Sequence, residues 1–330
     1  MIQILTYNNY FFLSLILLNV VIINILLTKV KKTKLMDLPN EKRKIHKIPI
    51  PKIGGIILII NFIFYLNFVA ELENPYIITF LTILIFLVGF IDDIYNLKPL
   101  TRIILIILFF YIFLNQDQFY VINNIYFESY DLTLNTGKFD IILTILCFLL
   151  IINAFNLFDG LNGLSIGYFL FIFSYILIKF NLENLTMIVI ICSFLFFYNI
   201  RSKIFLGDSG IYILTTFLGL QIISINNNQL LNFSAENIFL ILMIPGLDMF
   251  RLFIERSMNL KSFFLADNNH LHHYLYRKLG HKITLLVLFA LLIIPISLYE
   301  MQIIHSYYII FINFILYSIL IVYLKYENKS

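Results

Sequence analysis

The residues able to do chemistry stand in five short polar cassettes. They are Asp37–Gly55 (DLPNEKRKIHKIPIPKIGG), Asp92-Asp93, Asn153–Gly163 (NAFNLFDGLNG), Gly207–Gly210 (GDSG) and Asp267–His273 (DNNHLHH). Adjacent carboxylates at Asp92 and Asp93 repel unless a cation or a proton intervenes. A solvated helix end is the plainer reading of that pair, although a helix C-terminus disfavours negative charge. Asn153, Asn156 and Asp159 recur every three residues and form a slanted polar stripe on a helix. Gly160 and Gly163 then allow a tight turn or close approach to a ligand. Asn162 reads more simply as a helix C-cap, but amides and a carboxylate inside an apolar boundary are unfavourable without partners.

In GDSG, either Asp208 or Ser209 caps the following helix, or its first N–H groups meet a phosphate while Asp208 holds a divalent cation. His270, His272 and His273 follow Asp267 in a loop with no cysteine nearby and no HExxH spacing. That argues against zinc and for imidazoles that touch phosphate or move protons. Asp248 lies one turn before Arg251, and topological anchoring accounts for Arg251 and Arg256. The first cassette joins Lys42, Arg43, Lys44, His46, Lys47 and Lys52 to Pro49, Pro51 and Gly54-Gly55. A basic loop attracts anionic lipid, and the stiff PIPKIGG run before a helix suits a cradle for phosphate.

The elements that must position these cassettes are membrane helices. Hydrophobic residues make up 61% of the 330, charged residues only 13%, and mean hydropathy is +0.91. A soluble fold of this size would leave much of that surface in water. Apolar windows predict eleven helices, near 10–28, 53–70, 76–92, 100–115, 140–157, 163–180, 185–200, 210–225, 237–254, 282–299 and 303–324. The expected fold is all-α, a polytopic membrane helical bundle in one domain, 1–330, with cytoplasmic active-site loops. The first run, Tyr10–Thr28, reads as a retained helix rather than a signal peptide. Val121–Phe127 reads as a strand in an outer segment. Cys147 and Cys192 fall in apolar runs and read as packing residues.

With the N-terminus outside, 21 of the 23 lysines and arginines face inward, leaving only Lys138 and Lys179 outside. Acids divide almost evenly, so the asymmetry is that of bases avoiding translocation. All five cassettes then fall on the inner face. The net charge of +4 sits in membrane-flanking loops, which gives no nucleic-acid surface.

As an ordered set, DLPNEKRKIHKIPIPKIGG, FIDD, NAFNLFDGLNGL, GDSG and DNNHLHH resemble the polyprenyl-phosphate N-acetylhexosamine-1-phosphate transferases. The resemblance implies transfer of a sugar-1-phosphate from a UDP-N-acetylhexosamine to undecaprenyl phosphate in a bacterial inner membrane. It is nearest to the branch that starts O-antigen, enterobacterial common antigen or teichoic-acid linkage units. It further implies that Asp92, Asp93, Asp159, His272 and His273 are catalytic. Asp208 and Asn156 would hold Mg²⁺, with Mn²⁺ as a substitute. Lys47, Lys52, Asn153, Gly160, Asn162, Asp267 and His270 would contact substrate. Ile211-Tyr212 depart from the smaller residues of many relatives and are expected to reshape the groove.

Expected partners are the nucleotide sugar, the lipid phosphate, membrane lipid and, as an option, a second copy in a homodimer. One alternative is the related phospho-MurNAc-pentapeptide transferase of peptidoglycan synthesis. Another, of a different class, is an ion-coupled transporter, which would place its polar groups near the midplane.

Overall fold

The computed structural model describes residues 2–39, 48–70, 74–228, 233–260, 262 and 268–327. Lys42, Arg43, Lys44, His46, Lys47 and Asp267 lie outside the described residues. Among those described, eleven α-helices follow the apolar windows: α1 Ile2–Lys29, α2 Gly54–Phe68, α3 Pro75–Tyr95, α4 Pro99–Gln116, α5 Asp140–Phe158, α6 Leu164–Phe180, α7 Thr186–Asn199, α8 Gly207–Asn227, α9 Ala235–Met258, α10 Leu271–Glu300 and α11 Ser306–Glu327. Seven of them, α3, α4, α5 and α8 to α11, are long and apolar enough to cross a membrane; α2, α6 and α7 are apolar but shorter, and α1 is apolar over Leu13–Lys29. The protein is a polytopic, all-α membrane protein.

Two departures from the windows bear on the site. The tenth helix begins at Leu271, eleven residues before its window, so His272 and His273 stand in a helical turn rather than a loop. Gly280 (φ 71) breaks that helix, and the apolar stretch resumes beyond the break. The segment between α4 and α5 forms a hairpin, β3 Asn124–Phe127 with β4 Leu132–Asn135, close to the strand read at 121–127.

Contacts gather the chain into two compact units. Met1–Phe113 with Ser165–Phe217 make the first, and Leu114–Leu164 with Leu218–Ser330 the second. In the first unit, α2 packs on α3 and α7, and α1 on α2 and α7. Phe217 of α8 anchors an aromatic core, with ring centroids 4.9 Å from Phe62 and 5.6 Å from Tyr65, both edge-on. Such edge-to-face pairs favour one arrangement over a uniform apolar contact. Between α1 and α2, Asn19 and Asn61 exchange amide hydrogen bonds of 3.0 and 2.8 Å.

The start of α8 is built against the first cassette. A short pair, β1 Met36–Asp37 with β2 Ile50–Pro51, leads into residues that run beside 205–206. Gly54 and Gly55 donate their N–H groups to the carbonyls of Phe205 and Leu206, both at 2.9 Å. Those donors close a backbone ladder, so they do not form the phosphate cradle that PIPKIGG suggests. Across from them, Gly89 of α3 lets the backbone of α8 approach closely. A methyl there would lie 2.5 Å from Ser209 Cα and 2.6 Å from its nitrogen.

In the second unit α9 packs against α5, α10 and α11. Glu236 accepts the N–H groups of Glu128 (3.1 Å) and Ser129 (3.0 Å), which fastens the turn between β3 and β4 to the start of α9. Asn227 at the end of α8 donates to the carbonyls of Phe119 and Val121, each at 2.7 Å. The hairpin's backbone is thereby satisfied by side chains rather than by a larger sheet.

The Gly89 contact is backbone against backbone and has no side chain to yield. Gly89→Ala should destabilise the protein by about 1–3 kcal/mol through overpacking, seen as a lower thermal unfolding midpoint in detergent. An unchanged midpoint would show that the two helices separate freely.

Candidate active site

The first cluster lies wholly within the first unit, where α3, the segment after β2, the start of α4 and the start of α8 meet. Asp93 is buried and accepts from three donors of α8: Asp208 N (3.0 Å), Ser209 N (3.1 Å) and Ser209 Oγ (2.8 Å). It caps a helix to which it does not belong, satisfying N–H groups that the first turn leaves without partners. Lys52 Nζ stands 3.5 Å from the same carboxylate. Burial works against the Lys52 ammonium, but Asp93, Asp208 and Asp37 around it raise its pKa above the ordinary lysine value. It is therefore a fixed positive charge at neutral pH.

Asp92, also buried, accepts from Arg102 Nη1 at 2.6 Å and from the N–H of Leu97 at 2.7 Å just past the end of α3. The two adjacent acids thus point to different partners, each with a cation, which removes the repulsion their adjacency would create. Asp208 is held differently. Its carboxyl is 31% exposed, its nearest cation among the described residues is Arg102 at 4.0 Å, and it lies within hydrogen-bonding reach of Asp92. Two ionised carboxylates so placed need a proton or a cation between them. Tyr212 joins the cluster through a hydrogen bond with Arg102. The bulky residue that departs from the family pattern is thus part of the charge network.

The second cluster lies wholly within the second unit. Asp248 of α9, buried, gathers four donors. Leu271 N (3.1 Å), Tyr317 Oη (3.0 Å) and Arg251 Nη2 (2.8 Å) meet Oδ1, and His270 Nδ1 lies 3.0 Å from Oδ2. The Leu271 bond caps α10, which is why the histidine segment is helical. His270 stacks on His272 with centroids 5.2 Å apart, and His273 lies 4.3 Å from His272. His272 turns toward Gly160, where a methyl group would overlap its Nε2. His281 Nε2 is 2.8 Å from the carbonyl oxygen of Asn162.

The structure therefore brings Lys52, Asp92, Asp93 and Asp208 together in one unit, and Gly160, Asn162, His270, His272 and His273 in the other. Asn153, Asn156 and Asp159 line the last two turns of α5 and its end, half-buried. Asn153 spends its amide on the carbonyl of Leu149 at 2.7 Å. Arg102, Tyr317 and His281 are not singled out by the sequence as site residues, and Tyr212 only as a bulky departure from the family pattern. The imbalance of Asp92-Asp93 was the available signal for Arg102, since paired buried acids require a cation. Asp248 was noticed only as the neighbour of arginines that topology already explained.

Comparison with known proteins gives this arrangement a family. Residues 75–226 match the glycosyl transferase family 4 profile. The phospho-N-acetylmuramoyl-pentapeptide-transferase of Dictyoglomus thermophilum is 31% identical over 240 residues, 68% of this chain and 74% of that protein. The undecaprenyl-phosphate alpha-N-acetylglucosaminyl 1-phosphate transferase of Thermotoga maritima is 26% identical over 293 residues, 88% of this chain and 89% of the relative. A probable undecaprenyl-phosphate N-acetylglucosaminyl 1-phosphate transferase of Bacillus subtilis is 28% identical over 277 residues, 78% and 74% of the two chains. The chain belongs to glycosyl transferase family 4, the sugar-1-phosphate transferases that its motifs resemble.

Asp93 acts on α8 through acceptor oxygens, so an amide in its place turns one acceptor into a donor facing other donors. Asp93→Asn should destabilise the fold by about 1–3 kcal/mol, measured by thermal unfolding in detergent. A variant as stable as the parent would show that the start of α8 does not depend on this carboxylate.

Proposed function

We propose that the protein transfers a sugar-1-phosphate from a UDP-N-acetylhexosamine to undecaprenyl phosphate, giving undecaprenyl-diphospho-N-acetylhexosamine and UMP. The observation that carries this reading is the state of the three acids in the first cluster. Asp92 and Asp93 are matched by Arg102, Lys52 and helix N–H groups, while Asp208 keeps a half-open carboxyl beside Asp92. The names of the relatives point to the same chemistry. The lysine and arginine asymmetry supports a site on the cytoplasmic side of a bacterial inner membrane.

Mg²⁺ fits the donor set. Asp208 and Asp92 offer hard carboxylate oxygens and no thiolate, and Mg²⁺ is commonly held by one or two carboxylates together with substrate phosphates. Mn²⁺ fits by the same argument. Bound there, the ion supplies charge neutralisation to the pyrophosphate and to the departing UMP oxygen.

The chain's own groups do the rest by position. Lys52 and Arg102 present fixed positive charge to anionic substrates. Asp93 holds the first turn of α8 in place and so fixes where Asp208 points. A phosphate monoester has its second pKa near about 6, so the lipid phosphate arrives largely ionised and needs orientation more than deprotonation. Its oxygen bonds to the β-phosphorus as the bond from that phosphorus to the UMP oxygen breaks. This is catalysis by placement and electrostatics. By the family resemblance, Asn153, Asn156 and Asp159, half-buried, with the turn at Gly160 and Asn162 and the histidines, are proposed substrate contacts of the second unit taken by itself.

A second reading, transfer of phospho-MurNAc-pentapeptide, is favoured by the Dictyoglomus relative's name. Purified protein given undecaprenyl phosphate and Mg²⁺ should release UMP and form an organic-soluble product from UDP-GlcNAc or another UDP-N-acetylhexosamine. Turnover with UDP-MurNAc-pentapeptide alone would install the second reading. Substrate-driven uptake into vesicles with no product would make the protein a transporter. Asp208→Asn should lower Mg²⁺-dependent turnover by roughly 10²-fold or more while the protein stays membrane-inserted, and near-normal turnover would remove Asp208 from this role.

A further inference from the structure

We propose a second metal site, for a borderline transition ion such as Zn²⁺, formed by Asp248, His270 and His272. It stands on different residues and different chemistry from the Mg²⁺ reading of the first cluster. One ligand atom from each of the three lies within 4.8 Å of the others, and all three side chains are buried. Two imidazoles and one carboxylate form a set that suits zinc, iron, cobalt or nickel better than Mg²⁺, and leave a coordination position open.

His272 is the residue that needs an occupant. It is 1% exposed, yet neither of its ring nitrogens has a hydrogen-bond partner among the described residues. A buried imidazole left in this state is unfavourable, because its polar atoms have lost water and gained nothing. Every other member of the cluster is already fastened. Asp248 is held by Arg251, Tyr317 and the start of α10, and His270 by Asp248. The bonds from Arg251, Tyr317 and the Leu271 N–H are those an outer shell supplies to orient a ligand before the ion arrives, whereas the bond of His270 to Asp248 joins two of the ligands and gives way to the ion. Gly160 leaves the room that the His272 ring occupies. Ligation requires a contraction of about an ångström, from the present spacing to that set by ligand distances near 2.0–2.2 Å.

Charge balance permits a cation here. Arg251 lies against Asp248, but it is shared with Glu255 at 2.9 Å, and Lys325 pairs with Glu255 as well. The two acids and two bases cancel, so the added charge of an ion meets a neutral surround rather than a positive one.

The test uses the full-length protein in detergent, stripped with chelator and then titrated with Zn²⁺ or Co²⁺ alone. Bound metal is counted by mass spectrometry, and the visible Co²⁺ spectrum reports low-coordinate nitrogen and oxygen ligation. The wild type should hold one equivalent. His272→Ala removes no hydrogen bond among the described residues. It should weaken binding by more than the roughly 10–100-fold that an outer-shell change costs and should abolish the Co²⁺ bands. His272→Gln keeps the side chain's bulk and should show the same loss, which guards against a folding defect in the alanine variant. Asp208→Asn should retain the metal and its spectrum. No stoichiometric binding to the wild type, or binding undiminished in both His272 variants, would overturn the site. Sugar-phosphate transfer is read separately, through UMP release by the wild type and by Asp208→Asn, because His270 and His272 are also proposed substrate contacts.

Discussion

A helix that begins inside a membrane protein must find acceptors for its first N–H groups, and α8 finds them on Asp93. That interaction organises the first unit. It places a charged residue of α3 at the foot of α8 and draws Lys52 in as counter-charge. It also requires the near-contact of Gly89 with Ser209 that only a residue without Cβ permits. The seven long apolar helices differ widely in enclosure. Along α8, 78% of the apolar stretch is buried, against 22% along α4. A helix so enclosed cannot satisfy its start with water, and a capping carboxylate in trans is the remaining solution.

The same rule accounts for the charges of both clusters. An ionised group held away from water persists only when paired and hydrogen-bonded. Asp92 and Arg102 obey it, as do Asp93 and Lys52, and Asp248 and Arg251. Against that background the exceptions carry the information. Among the described residues, Asp208 has an acid for a neighbour and its nearest cation 4.0 Å away, and His272 has no partner for either nitrogen. Function is read here from the two groups that the fold leaves incomplete, more than from the many it completes.

Much of this was legible in the sequence. Hydropathy located most of the helices to within a few residues, the starts of α1 and α10 excepted, because the bilayer imposes a length on each, and that constraint is local. The strand-like run at 121–127 marked the first strand of the hairpin, while its partner at Leu132–Asn135 carried no such signal. The chain could not reveal which distant groups would meet. HLHH looked like loop because its cap, Asp248, comes from the preceding helix. The two glycines after Lys52 looked like a phosphate cradle because their acceptors, at Phe205 and Leu206, lie far along the chain. Arg102 was read only for the side of the membrane it marks, and its contact with Asp92 across the α3–α4 turn was hidden by that sufficient explanation. Composition, in short, announces that polar residues are unusual in such a chain, while tertiary contact decides which of them are spent on structure.

The reciprocal amide pair of Asn19 and Asn61 has its own consequence. An apolar helix in hydrocarbon slides and spins at little penalty, since lipid tails and leucines are nearly equivalent surroundings. The pair removes that freedom for α1. Turning it by one residue, about 100°, would carry Asn19 away and leave each amide only the carbonyl one turn back in its own helix, Leu15 for Asn19 and Ile57 for Asn61. A single latch thus gives α1 one azimuth against α2, and it leaves the remaining lipid-facing positions of that helix open to drift among apolar side chains without loss of alignment.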